Sequence, residues 1–128
     1  MGHAVEYYES IRDDRREWAT WFSMCWICRE SIRMSRGILC LETHEMVPRS
    51  RAPRSWGIRA NYFRACNVCH AQIVDVPLVR QLALKKLYDA KDYDLDAIRR
   101  LLDNGRHPVI FKEDEIECEL AAIKKDTI

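Results

Sequence analysis

Cys25-Trp-Ile-Cys28 and Cys66-Asn-Val-Cys69-His70 are the two stretches of this sequence that decide its fold. Each stretch offers two cysteine thiolates at a spacing that suits one tetrahedral zinc ion. The 37 residues between the two pairs are enough for a compact strand–loop–strand unit, which the ion would tie together. We therefore predict a zinc ion held by Cys25, Cys28, Cys66 and Cys69. Its role is expected to be structural, because four thiolates leave no coordination position for a substrate.

Two other interpretations of the cysteine pairs stay open. Cys-x-x-Cys pairs can be redox-active, and four cysteines can also be buried thiols without a metal. Against the first, neither pair is surrounded by the βαβ pattern of thioredoxin-like proteins. The remaining cysteines, Cys40 and Cys118, lie in apolar contexts and are predicted to be small core residues. We also predict that three tryptophans, Trp18, Trp21 and Trp26, are core residues.

Length and composition indicate one globular domain over residues 1–128. Of the 128 residues, 48% are hydrophobic and 32% are charged, which is an ordinary balance for a folded domain. A core of this size is modest, so a bound metal would add useful stability. The sequence has no apolar run of the roughly 18 residues that spanning a membrane takes, and its beginning, MGHAVEYYES, lacks the pattern of a secretory signal. We expect a cytoplasmic protein without a membrane segment.

Charge is balanced over the whole chain but not along it. Lysine and arginine total 21 against 20 for aspartate and glutamate, which gives a net charge of +1. Between Arg29 and Arg64, however, eight arginines stand against three glutamates, a local net charge of +5, and no lysine occurs. Arginine makes bidentate contacts with phosphate, so this segment favours a nucleic-acid partner. A solvated basic surface is the alternative interpretation.

The sequence pattern predicts an α+β fold in three parts. These parts are a helical lead (residues 1–24), a central strand–strand–helix core (25–75) and a helical C-terminal extension (76–128). The predicted elements are a helix from Glu6 to about Phe22, a strand at 38–47, a strand or turn at 61–65, a helix after Cys66 that ends near Val74, and helices from Pro77, Asp94 and Glu113. Proline suits the first helical turn and aspartate caps a helix, which places Pro77 and Asp94 at helix starts.

The residues between and after the cysteine pairs follow a recognisable order. Leu41-Glu-Thr-His-Glu-Met-Val-Pro48 comes first, then Asn61, and then His70 directly after Cys69. Together with the cysteine pairs, this order resembles the HNH endonuclease family over about residues 25–74. The resemblance implies a zinc-stapled ββα-metal core and metal-dependent hydrolysis of phosphodiester bonds in DNA. Nicking or cutting of this kind leaves a 3′ hydroxyl and a 5′ phosphate.

The same resemblance implies a partner and a location. The partner would be DNA, with RNA also open as a substrate. A protein partner for targeting stays open, because the sequence has no helix-turn-helix pattern and no further zinc-finger pattern that would read bases. Small proteins of this family are common in phages and prophages, which implies the cytoplasm of a bacterial or phage-infected host cell.

The resemblance also assigns roles to four residues of this chain. His44 takes the position of the first ligand of the catalytic cation, and His70, nine residues after Asn61, takes that of the last ligand. Asn61 takes the position of the asparagine that holds the loop next to the base. Glu45, three residues before Pro48, stands where the family carries its general base. Two imidazole ligands favour Mn²⁺, Ni²⁺ or Zn²⁺ somewhat over Mg²⁺, because nitrogen is a softer ligand than oxygen.

Glu45 departs from the family pattern, which usually has histidine at this position. A glutamate can accept a proton when burial favours its neutral form, or it can be a second metal ligand that positions the attacking water. In a shifted alignment His44 would be the base and Thr43 the metal ligand, although threonine is a poor ligand and the spacing to Pro48 would break. Glu45 can also mark a lost active site, which would leave a catalytically inactive zinc module that binds nucleic acid or protein.

Arg49, Arg51 and Arg54 directly follow the predicted catalytic strand. Residues there would lie at the rim of the site, so they are predicted to contact the backbone of a nucleic acid. Such contacts set position and salt dependence rather than sequence choice. A further interpretation is a structural or interaction protein whose C-terminal helices, Pro77 to Lys125, do the main work. The alternative roles for these helices are to cover the nuclease core or to form a dimer contact.

Overall fold

The computed structural model describes residues 2–31, 37–48, 57–103 and 112–126. In these ranges the chain forms helix α1 (Gly2–Ala19), strands β1 (Leu41–Glu45) and β2 (Tyr62–Cys66), and helices α2 (Asn67–Ala71), α3 (Leu78–Tyr88), α4 (Leu95–Leu102) and α5 (Glu113–Asp126). Short 3-10 turns lie at Arg59–Asn61 and Ile73–Asp75. The predicted α+β class is confirmed. None of the described helices is long and apolar enough to span a membrane.

Strands β1 and β2 pair as an antiparallel sheet in a register that sets His44 opposite Phe63. Successive side chains of a strand point to opposite faces of a sheet. Glu42 and His44 therefore share one face, while Thr43 and Glu45 share the other. This alternation separates two residues that the sequence analysis assigned to one catalytic site.

Helix α2 follows strand β2 without an intervening loop. Cys66 ends the strand and caps the helix, because its sulfur accepts the backbone N–H of Cys69 at 3.4 Å. Asn67 donates its backbone N–H to the carbonyl of Cys40 (2.9 Å), and its Oδ1 accepts the Cys40 N–H (3.0 Å). The strand–strand–helix order is the predicted one, although helix α2 ends earlier than predicted, at Ala71.

An aromatic cluster joins helix α1, the first cysteine pair and strand β2. Trp18 packs against Trp26, with ring centroids 5.8 Å apart, and against Tyr62 at 5.3 Å. Trp26 in turn packs against Phe63 at 4.9 Å. Both tryptophans are buried as predicted. The same core continues into the C-terminal helices, where its buried apolar residues include Leu82, Ile98, Ile116 and Ile123.

Three residues that were predicted to lie in the core are exposed instead. Trp21 is 70% exposed, because helix α1 ends at Ala19 and the following residues leave its buried face. Cys40 and Cys118 are also exposed. Cys40 precedes the first residue of β1, and Cys118 lies on the solvent side of α5, so the prediction from their apolar neighbours was wrong.

The C-terminal helices begin close to their predicted starts. Asp94 caps helix α4, and its Oδ1 accepts the backbone N–H of Ala97 at 3.1 Å. Pro77 immediately precedes helix α3, which begins at Leu78, and helix α5 begins at Glu113. Helices α3 and α5 pack against each other.

A buried ion pair ties helix α3 to helix α1 and to the turn before β2. The Lys85 Nζ donates to Asp89 Oδ2 at 2.5 Å and to the carbonyl of Arg59 at 2.8 Å. The indole N–H of Trp18 donates to the same Asp89 oxygen at 2.9 Å. Both charged side chains are almost fully buried, so each depends on the other to remain charged without water.

Asp89→Ala is expected to lower the free energy of unfolding by about 3–5 kcal/mol, because it leaves the buried Lys85 ammonium without its counter-charge. Urea unfolding of the zinc-loaded protein, followed by tryptophan fluorescence, measures the change. Asp103→Ala removes an exposed aspartate and serves as the control, with little loss expected. A loss below about 1 kcal/mol in Asp89→Ala would contradict this account of the network.

Candidate metal centres

The four cysteines of the two pairs converge on one point. The sulfur atoms of Cys25, Cys28, Cys66 and Cys69 all lie within 4.8 Å of one another, and those of Cys28 and Cys66 are 3.9 Å apart. Four sulfurs bound to one zinc ion at about 2.3 Å would be roughly 3.8 Å apart. The donor set and its spacing therefore fit a tetrahedral zinc ion. We call these four residues the cysteine cluster.

The first cysteine pair lies in a tight turn that directs both sulfurs to the same side. An isolated β-bridge joins Met24 to Ser31 across the turn. Inside it, the Cys25 N–H donates to the carbonyl of Glu30 (3.1 Å), and the Arg29 N–H donates to the carbonyl of Cys25 (2.9 Å). Arg29 adopts a φ of 64°, a left-handed conformation that lets the chain reverse directly after the second sulfur.

The surroundings of the sulfurs shift the pKa values of different thiols in opposite directions. Burial acts to raise the pKa of Cys25, but hydrogen bonds from backbone N–H groups outweigh it, and the pKa of Cys25 is lowered. Burial, and then the neighbouring thiol of Cys66, raise the pKa of Cys69. Without a cation, the thiols of Cys28 and Cys69 are the ones whose raised pKa favours the protonated form, and a zinc ion would replace these protons. Zinc binding is therefore expected to release protons.

Cys69→Ser is expected to lose the bound zinc and the cooperative unfolding transition, because small domains of this kind take much of their folding free energy from the metal. Atomic absorption on gel-filtered protein measures zinc per chain, and near-ultraviolet circular dichroism measures tertiary structure. Cys118→Ser changes an exposed cysteine outside the cluster and should keep both properties. A Cys69→Ser protein that stays folded without zinc would contradict the metal assignment.

Two histidines predicted to bind the catalytic cation lie side by side. His44 is on strand β1 and His70 is on helix α2, and their ring centroids are 5.0 Å apart with the ring planes at 63°. His70 follows Cys69 directly, so the short helix α2 carries a cysteine-cluster residue and a histidine on consecutive positions. We call His44 and His70 the histidine pair.

A hydrogen bond fixes which nitrogen of each imidazole carries its proton. Gln81 donates its side-chain N–H to the carbonyl of Val76 (2.9 Å), so its Oε1 faces His44 Nε2 at 3.1 Å. A carbonyl oxygen only accepts, so His44 Nε2 donates and Nδ1 keeps its lone pair. The Nδ1 of His70 donates in the same way to Glu42 Oε1 at 3.1 Å, which leaves the lone pair on Nε2.

The separation of the two rings suits one shared cation. With metal–nitrogen bonds of about 2.1 Å, two imidazoles on one ion place their centroids roughly 4.5–5.3 Å apart, and the observed value is 5.0 Å. A carboxylate that accepts from the other nitrogen of a metal ligand, as Glu42 does from His70, is a common way to orient that ligand. The remaining coordination positions would be open to water and to phosphate oxygens.

The electrostatic surroundings keep His44 in the form that binds metals. Burial, and after it the proximity of His70, lower the pKa of His44 to about 4. His44 is therefore neutral at neutral pH, and a neutral imidazole offers a nitrogen lone pair to a cation.

Asn61 holds the chain that follows the end of strand β1. Its Oδ1 accepts the backbone N–H of Val47 (2.8 Å), and its side-chain N–H donates to the carbonyl of Val47 (2.9 Å). Its backbone carbonyl accepts the N–H of Met46 at 2.9 Å. Asn61 is completely buried, so these bonds fix the two residues directly after Glu45 without competition from water.

Glu45 makes an ion pair with an arginine of helix α1, and its charge also acts on His44, whose pKa it raises against the larger effects of burial and His70. Its carboxylate contacts the Arg15 guanidinium at 3.3 Å, and Arg15 also donates to the carbonyl of Thr43 at 2.6 Å. Arg15 belongs to helix α1, on the face of the sheet opposite to His44. Among the described residues, no His, Cys, Asp or Glu group of three or more that includes Glu45 converges within 4.8 Å. The structure thus brings Glu45 next to a cation of the chain rather than to the predicted metal ligands.

The three arginines predicted to bind nucleic acid, Arg49, Arg51 and Arg54, lie outside the described residues. Their role stays a prediction.

Two residues of the histidine site, Glu42 and Gln81, were missed by the sequence analysis. Glu42 had a usable signal, because it stands two positions before His44 and strand alternation puts both on one face. Gln81 had none, since it reaches His44 from helix α3, and only the packing of that helix brings it there.

Comparison with protein-family models, with curated proteins and with solved structures finds no match for this chain. The resemblance to the HNH family therefore rests on the quoted sequence motifs alone.

Proposed function

We propose that this protein is a metal-dependent endonuclease of the HNH type, which hydrolyses phosphodiester bonds in DNA. The observation that carries the proposal is the histidine pair. Two imidazoles from different elements lie at a spacing that suits one cation, and each is oriented by a hydrogen bond that leaves one lone pair. The four-cysteine cluster beside it supports the proposal, because it supplies a separate site for a structural zinc ion.

In the proposed reaction, water attacks the phosphorus atom and the bond from phosphorus to the 3′ oxygen breaks. A divalent cation, when bound, neutralises the negative charge that builds up on the phosphate and on the leaving oxygen. His44 and His70 would hold this cation, which we propose to be Mg²⁺, Mn²⁺, Ni²⁺ or Zn²⁺. Gln81 and Glu42 keep the two imidazoles in the required tautomer and orientation.

The proton of the attacking water needs an acceptor on the protein. Glu45 is the residue at the family's base position, and its side chain is only 10% exposed. Its ion pair with Arg15 holds it on the other face of strand β1, so a role as base requires the carboxylate to leave Arg15. The two hydrogen bonds between the Asn61 side chain and the Val47 backbone limit how far the chain after Glu45 can move.

The position of Glu45 also favours a second candidate function. If Glu45 remains paired with Arg15, the site lacks a base, and the protein would be an inactive zinc module that binds nucleic acid or protein. In either case we propose the cytoplasm of a bacterial or phage-infected host cell as its location. It would either act with low sequence specificity or depend on a protein partner for targeting, since the sequence carries no helix-turn-helix or further zinc-finger pattern.

His70→Ala is expected to abolish cleavage of supercoiled plasmid, because it removes one of the two protein ligands of the catalytic cation. Purified zinc-loaded protein is assayed with Mg²⁺, Mn²⁺ and Ni²⁺ separately, and with EDTA, on agarose gels. His3→Ala changes a histidine outside the histidine pair and should cleave like the wild type. Zinc content is measured for each variant, so that loss of the cysteine cluster is not mistaken for loss of catalysis.

Intact plasmid in every metal, from wild-type protein that is folded and zinc-loaded, would refute the nuclease and favour the inactive module. Cleavage that persists in His70→Ala at the wild-type rate would place the active site elsewhere.

Glu45→Gln tests the base separately from the metal. If Glu45 accepts the proton, this substitution is expected to lower the cleavage rate by about 100-fold or more, while Glu45→His restores activity with a shifted pH profile. Glu115→Gln, an exposed acid on helix α5, is the matched control. An unchanged rate in Glu45→Gln would remove this residue from the mechanism.

A further inference from the structure

A cleft lined by arginines lies between helix α1 and the sheet, on the face that carries Thr43. Its volume is about 690 Å³. The lining residues are Arg12, Arg15, Arg16, Ala19, Thr20, Thr43 and Arg64. Four of them are arginines and none is acidic. We call this surface the arginine cleft. Of its arginines, only Arg64 belongs to the basic segment that was predicted to favour a nucleic acid, and the other three come from helix α1.

None of the acidic side chains of helix α1 lines this cleft. They line a different surface, which is formed by Glu6, Glu9, Ser10, Asp13, Asp14 and Glu17. Asp14 is engaged there by Arg59, which is not a cleft residue, with Nη2 at 2.5 Å from Oδ1. Two carboxylates do touch cleft arginines, since Glu45 contacts Arg15 at 3.3 Å and Asp13 lies 4.0 Å from Arg12. The arginine cleft therefore keeps an excess of positive charge.

Arg64 is the arginine whose hydrogen bonding is left incomplete. Its Nη1 donates to the Thr43 hydroxyl at 3.1 Å, whereas its Nε is buried and has no hydrogen-bond partner among the described residues. Burial, and then the charge of Arg15, lower the pKa of Arg64. A buried donor without an acceptor is unfavourable, and so are two neighbouring guanidinium groups. An anion in the cleft would offset the repulsion between the guanidinium groups of Arg64 and Arg15.

We propose that the arginine cleft binds the phosphodiester backbone of a nucleic acid. The phosphate group is the anion that matches this donor set, because its oxygens accept from several guanidinium N–H groups at once. The cationic residues of the cleft are all arginines. The planar guanidinium group of arginine can make such bidentate contacts, whereas the ammonium group of lysine acts as a point charge.

The cleft and the histidine pair flank the same strand. Thr43 lines the cleft and His44 belongs to the pair, and these consecutive residues of β1 point to opposite faces. The cleft therefore lies on the other face of the sheet from the histidine pair, and a nucleic acid would have to extend past the edge of strand β1 to contact both. The assignment of nucleic acid as ligand rests on the proposed function. The contacts would position the strand without reading its sequence.

The test is the affinity for a fluorescein-labelled duplex of about 20 base pairs, measured by anisotropy at several salt concentrations around 0.1 M. Zinc-loaded protein is used without added divalent metal, so that nothing is cleaved. Arg12→Gln/Arg16→Gln removes two cleft charges, and Arg99→Gln/Arg100→Gln removes two charges from helix α4 as the matched control. Arg64→Lys keeps the positive charge at this position but removes the planar guanidinium group. Each variant must retain zinc and its circular dichroism spectrum.

The cleft double variant is expected to raise Kd by about tenfold or more and to lower the slope of log K against log salt by about 1.8, since two phosphate contacts are lost. The control double variant is expected to change Kd by less than about twofold, and Arg64→Lys to weaken binding by several-fold. Equal losses in the cleft and control double variants would overturn the proposal. The proposal would also be overturned if polyglutamate displaced the labelled duplex as effectively as an unlabelled duplex of the same charge.

This readout separates the two proposals. Binding that depends on the cleft, in a protein that cleaves in no metal, refutes the nuclease and leaves the cleft assignment standing. Metal-dependent cleavage, together with affinity unchanged in Arg12→Gln/Arg16→Gln, refutes the cleft assignment alone.

Discussion

Much of this structure depends on the cysteine cluster, which brings together strand β2, helix α2 and the turn after helix α1. Helix α2 is only five residues long, too short to be stable on its own. Its orientation comes from Cys66 and Cys69 at one side and from the Cys40–Asn67 bonds at the other. Because His70 follows Cys69 on this helix, the position of the cysteine cluster also sets where the imidazole of His70 lies relative to His44.

Strand β1 divides the chemistry of the molecule between its two faces. On one face, His44 and Glu42 meet helices α2 and α3, where hydrogen bonds orient two imidazoles. On the other face, Thr43 and Glu45 meet the arginines of helix α1. The division follows from the strand geometry alone. It explains why His44 and Glu45, which are adjacent in one motif, contact different parts of the protein. It also explains why the general base is harder to assign than the residues that would bind the catalytic cation.

The sequence predicted the features that depend on local spacing. The cysteine cluster and the closeness of His44 to His70 follow from short motifs whose order along the chain brings them together. Contacts that depend on the packing of distant helices could not be read in this way. Gln81 reaches His44 only because helix α3 is held by the buried Lys85–Asp89 pair and its apolar face. The early end of helix α1 turned Trp21 outwards for a similar reason, since aromatic composition does not fix a helix end.

The most direct test of the central claim is calorimetric titration of Ni²⁺ into untagged, zinc-loaded protein, followed by measurement of the zinc that remains. The account predicts that each chain binds one Ni²⁺ at the histidine pair, keeps its zinc, and loses the Ni²⁺ site in both His44→Ala and His70→Ala. Absence of Ni²⁺ binding, displacement of the zinc, or binding that survives both substitutions would contradict a second metal centre built on these histidines.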